Sequence, residues 1–75
     1  MFSLEMQVKQ FVAVVQGEHG RFMVFETGSA RHYLFAQLYP GTTTQTGLSW
    51  PVLKADLRDD VRHGLAHGVG YQAGV

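Results

Sequence analysis

The chain contains no cysteine. That excludes a disulfide framework, a thiolate metal site and a cysteine nucleophile together. Charge is sparse as well: six Lys+Arg balance six Asp+Glu, so the formal net charge is zero and the pI is about 6.9. With only two lysines, there is little excess cation to meet phosphates, which is where sequence-independent nucleic-acid affinity comes from. Long apolar runs are missing too. The longest, Phe11-Val12-Ala13-Val14-Val15, falls far short of the roughly 20 residues that cross a bilayer. The opening Met1-Phe2-Ser3-Leu4-Glu5 lacks the basic and long apolar regions of a signal peptide. These absences predict a cytoplasmic protein with no membrane partner.

Much of what is present is apolar. Hydrophobic residues make up 45% of the 75-residue chain and charged ones 16%, a balance that excludes a disordered tail. The length allows one domain, here taken as residues 1–67 with a flexible C-terminal tail at 68–75. A chain this short buries only about 60–65% of the surface its unfolded form exposes. A partner chain is the usual way to add core at this size, and little material remains for a deep catalytic pocket.

Period-two alternation marks the first segment as strand. Phe2, Leu4, Met6, Val8, Val12 and Val14 fall on even positions; odd positions begin polar and turn apolar at Phe11, Ala13 and Val15. The change predicts a bend or bulge near Lys9-Gln10. Gly17-Glu18-His19-Gly20 is a turn signal, and Arg21 to Thr27 reads as a second strand of a hairpin. Arg31 to Tyr39 can be strand or short helix; its three aromatics favour strand. Pro40-Gly41 ends it, and the threonine-rich stretch 42–47 reads as loop. Ser49 then offers a helix N-cap and Pro51 suits a first turn. Leu53, Leu57, Val61 and Leu65 recur at spacing four, with Trp50 just ahead, as on an amphipathic helix packed against a sheet. The expected fold is α+β: a three-stranded antiparallel β-meander with one C-terminal amphipathic helix on one face. The sheet's other face, or the edge carrying residues 2–8, would need another cover.

Few constellations carry chemistry. Asp59, His63 and His67 share a helical side at spacing four; they suit a helix C-terminus and a local ion pair better than a metal, which would need a further ligand. His19 and His32 flank the second strand, and a pairing across the sheet would be the basis of a histidine-dependent enzyme. Ser3, Ser29 and Ser49 sit in no nucleophile-elbow context, and Gly41 to Gly47 has no following lysine as a phosphate loop would. Arg21, Arg31, His32, Tyr33 and Phe35 could form a basic, aromatic face that stacks bases, unless those rings are core.

The expectation is therefore a non-catalytic protein–protein interaction module of the inhibitor, accessory or regulatory-subunit type. It needs no cofactor and no metal, its partner is another protein, and it acts as a homodimer. A nucleic-acid-binding regulator is the alternative, and a small metal- or histidine-dependent enzyme the third reading. The expected interface joins the apolar strand start, Phe2, Leu4, Met6 and Val8, to the charged rim Arg58, Asp59 and Arg62. An exposed apolar edge strand invites pairing with its twin.

Overall fold

The structure is a computed structural model that describes residues 7–68 and the backbone of residues 71–72. Four antiparallel strands form a meander: β1 (Val8–Gly17), β2 (Gly20–Thr27), β3 (His32–Leu38) and β4 (Gln45–Leu53). A 3-10 turn (Lys54–Asp56) leads into the helix α1 (Asp59–Ala66), and a short β5 (Tyr71–Gln72) returns to lie parallel to β1. The sheet order is β4-β3-β2-β1-β5. The α+β class holds, with four antiparallel strands rather than three. Of the segment expected as a tail, residues 69–70 and 73–75 lie outside the described residues.

The extra strand and the shorter helix have one cause. Ser49, Trp50, Pro51 and Leu53 do not start a helix; Ser49 pairs with Ala36, Trp50 with Phe35, Pro51 with Leu34 and Leu53 with His32. Thr46, Trp50 and Val52 suit a pleated surface, and Pro51 is tolerated because β4 lies at the end of the sheet, where a missing N–H breaks nothing on the outer side. The helix begins only at Asp59, with no side-chain N-cap. Its first turn carries Asp59 and Asp60, which favour the positive end of the helix dipole. The leucine spacing that imitated one long helix is spanned by strand, 3-10 turn and helix in succession. Trp50 and Leu53 therefore do not face the sheet from a helix; they belong to it.

Two bulges re-phase β1. Val8 pairs with Thr27 and Gln10 with Glu26, leaving Lys9 extra; Phe11 pairs with Phe25 and Ala13 with Val24, leaving Val12 extra. The first lies where the alternation changes in the sequence. A third irregularity sits in β4, which carries more residues than β3 between the Ala36–Ser49 and Leu38–Gln45 pairs. Gly47, at φ 99°, supplies the backbone conformation there.

The core lies between the sheet and α1. Ala13, Val15, Val24, Tyr33, Phe35 and Leu65 form one buried cluster, with Val12, Phe22, Val52, Leu57 and Val61 packed against it. Leu65 is the buried residue of α1. Among the described residues no helix is long and apolar enough to cross a membrane.

Candidate protein-interaction surface

Strand register sorts the side chains onto two faces, because successive residues point to opposite sides and directly paired residues share one. The face under α1 carries the core cluster. The other carries Val8, Phe11 and Val14 from β1, Met23 and Phe25 from β2, Leu34, Ala36 and Leu38 from β3, and Pro51 and Leu53 from β4. Leu34, Ala36 and Leu38 are buried along the middle of it, whereas Val8 (52% exposed), Phe11 (47%) and Leu53 (40%) are open to solvent. Phe11 and Phe25 meet edge to face, with ring centroids 5.8 Å apart. Among the described residues the single helix lies on the opposite face and all strands belong to one sheet. The exposed apolar part of this second face is therefore its flanks, Val8, Phe11 and Leu53, and not its middle. The sequence carried a signal for it: Phe22-Met23-Val24-Phe25 and Tyr33-Leu34-Phe35-Ala36 are apolar on both sides, as strands covered on both faces are.

Of the interface residues expected from the sequence, Val8, Arg58, Asp59 and Arg62 lie among the described residues. Phe2, Leu4 and Met6 lie outside the described residues. Val8 opens β1 on the uncovered face, opposite Thr27. Arg58, Asp59 and Arg62 sit at the start of α1, on the other side of the sheet. They pair locally instead: Arg62 donates to Asp59, and Arg58 donates through Nη2 to Asp60 Oδ2 at 2.9 Å. Exposed pairs of this kind contribute about 0.2–1 kcal/mol.

The titratable side chains make local contacts. The Ser29 hydroxyl lies 2.8 Å from His32 Nδ1 and accepts from the Arg31 amide at 3.3 Å. Thr27 Oγ1 accepts from the Ser29 amide at 3.0 Å. Thr27 and Ser29 are both buried, and together these groups brace the β2–β3 turn. His19 precedes the opposite end of β2, so it is separated from His32 by most of an eight-residue strand, roughly 25 Å. They cannot act as a pair. His63 and His67 stack with centroids 4.4 Å apart, while the third member of that stripe, Asp59, is engaged by Arg62. Lys54 Nζ lies 3.1 and 3.3 Å from the two Glu26 carboxylate oxygens and 4.6 Å from the Tyr33 ring centre. Burial pushes the Tyr33 phenol above its ordinary value, and the Lys54 charge pulls it partly back.

A cleft of about 480 Å³ lies between the β1–β2 turn and the β3–β4 loop. Its Arg21 already donates to the Thr42 carbonyl at 2.9 Å and to Gln16 Oε1 at 2.7 Å. The base-stacking face expected as an alternative is not assembled. Tyr33 and Phe35 are buried under α1, whereas Arg21 and His32 sit on the opposite face by register. No protein-family model matches the chain, and no curated protein and no solved structure matches it.

Proposed function

We propose that this chain is a non-catalytic, cytosolic protein-interaction module that binds another protein through the uncovered face of its sheet. The observation that carries the reading is the set of exposed apolar side chains on the face opposite the helix, Val8 and Phe11 on β1 and Leu53 on β4. Contiguous exposed apolar patches mark binding surfaces, and the cores of protein interfaces are depleted of charge. Val8, Phe11 and Leu53 are apolar and exposed there. The braced Ser29 and His32, and a Lys54 engaged by Glu26 and Tyr33, support a structural use of the reactive side chains.

The test compares the full chain with a Phe11→Lys/Leu53→Lys double variant as bait in extracts of the native cell. Retention of one protein by the first bait and its loss on the second is expected. Equal retention by both baits, or none by either, would remove the uncovered face from the reading.

A further inference from the structure

We infer that the cleft between the β1–β2 turn and the β3–β4 loop binds a small organic carboxylate, a monoanion with a flat apolar body. The cleft lies at the end of the sheet where Gly17 pairs with Gly20 and Arg21 with Leu38, away from Val8 and Leu53 at the other end. It is a second site, independent of the protein-interaction reading.

Charge is the first argument. Among the described residues that line the cleft, Arg21 alone carries a permanent charge, and no aspartate or glutamate lines it. Among the described residues Arg21 also forms no ion pair. Its Nε donates to the Thr42 carbonyl at 2.9 Å and its Nη1 to Gln16 Oε1 at 2.7 Å. Both partners are neutral, so the guanidinium is fixed in place with its charge uncompensated and Nη2 still to donate. The cleft of about 350 Å³ beside Lys9 is the contrast, because there the Glu26 carboxylate already holds Lys54. One cation suits one carboxylate; a phosphate ester, at about −1.5 to −2 charges, asks for more.

Hydrogen bonding is the second. Gln16 Oε1 is taken by Arg21, and Gln37 Oε1 accepts from Thr46 Oγ1 at 3.0 Å. Each amide is left with its NH2 group, which only donates. Thr46 Oγ1 in turn accepts from the Leu48 amide at 3.3 Å. These side chains therefore have donors left to offer, and a carboxylate, which only accepts, matches them.

Shape is the third. The volume is about 480 Å³, within the about 300–1,000 Å³ of small-molecule sites. Leu38, Tyr39 and Pro40 supply an apolar wall. Tyr39 is 51% exposed, so a flat ligand laid on its ring removes apolar surface of both from water. The wall is preformed. The Tyr39 amide donates to the Thr44 carbonyl at 2.9 Å, Thr42 Oγ1 donates to the Tyr39 carbonyl at 2.9 Å, and Arg21 ties this loop to β2. Binding then requires little ordering of the loop.

Titration of the isotope-labelled full chain with benzoate, followed by its amide resonances, tests the site. Saturable shifts at Gly17, Gly20, Gly41 and Thr46 are expected, with a dissociation constant below about 1 mM. Benzyl alcohol, which keeps the ring and lacks the charge, should bind about 10-fold more weakly or not at all. So should benzoate on the Arg21→Gln variant, which loses a hydrogen bond between charged groups. If that variant loses its dispersed amide spectrum, NOEs between the benzoate ring and Tyr39 in the wild-type chain decide: their presence supports the site and their absence overturns it. Shifts that fail to saturate, that centre on Lys9 or Arg31, or that benzyl alcohol reproduces equally overturn the proposal. Inorganic phosphate that moves the same amides at lower concentration than benzoate overturns the carboxylate as the ligand class.

Discussion

At the scale of single residues, Leu65 holds the helix layer to the sheet. It is 2% exposed and joins the cluster of Val15, Val24 and Phe35. Truncation of a buried leucine costs about 2–5 kcal/mol, against a total of about 4–11 kcal/mol for a domain of this length. Leu65→Ala should therefore bring the chain close to unfolding, whereas Leu57→Ala, at a half-buried position, should cost less. Urea melts of the two variants check the order, and a reversed order would mean that the helix layer is anchored by the segment just before α1. Tyr33 gives a prediction in pH. Its phenol is held above its ordinary value, chiefly by burial. The unfolded chain then loses this proton first, at about pH 10. Stability linked to Tyr33 is complete below that value and falls as pH rises toward the higher folded value, because the native state binds more protons there. Phenolate absorbance of the wild type minus that of Tyr33→Phe should show a late-titrating tyrosine, and the variant should be less sensitive to alkali. A difference curve matching free tyrosine would contradict the burial of this hydroxyl.

At the scale of elements, the irregular strands decide which residues meet. Gly47 adopts φ 99° in β4, and a Cβ built there would touch nothing within 4 Å. Gly47→Ala thus isolates a conformational cost, about 1–3 kcal/mol, readable as a lower thermal midpoint; an unchanged midpoint would mean that β4 takes a regular path. The strands β1 to β3 were legible in the sequence because alternation, glycine turns and aromatic content agreed there. β4 was not. Ser49, Pro51 and the spacing of Leu53, Leu57, Val61 and Leu65 form a self-consistent helix signal, and only the ladder to β3 reveals that its first part is strand. Pairing between distant segments has no local signature, so it overrode the propensity unseen. The face that each residue of β1 occupies was not legible in the sequence. Strands β2 and β3 announce two covered faces, yet Val8 and Phe11, of opposite parity, share a face because Lys9 is extra in the ladder. Arg58, Asp59 and Arg62, expected at the rim, are held in pairs within the helix start.

At the scale of the whole molecule, the even charge count separates association through the uncovered face from association by charge. Six cations and six anions leave no net charge to steer a partner, and the exposed Val8, Phe11 and Leu53 carry no charge to screen. Salt acts on exposed charges over about 8–10 Å at physiological strength and little on apolar contact. The dissociation constant of the proposed complex on this face should therefore change less than about 3-fold as sodium chloride rises tenfold from low ionic strength, and sulfate should tighten it, because excluded anions favour burial. Phosphate contacts behave in the opposite way, losing affinity with a slope of about −0.9 per neutralised phosphate. Isothermal titration or sedimentation across a salt series makes the distinction with one protein preparation. A steep loss with chloride would shift the contact to the ionic groups around Arg58, Asp59 and Arg62 or to a nucleic acid, because no arrangement of Phe11, Phe25, Leu34 and Leu53 can produce that slope.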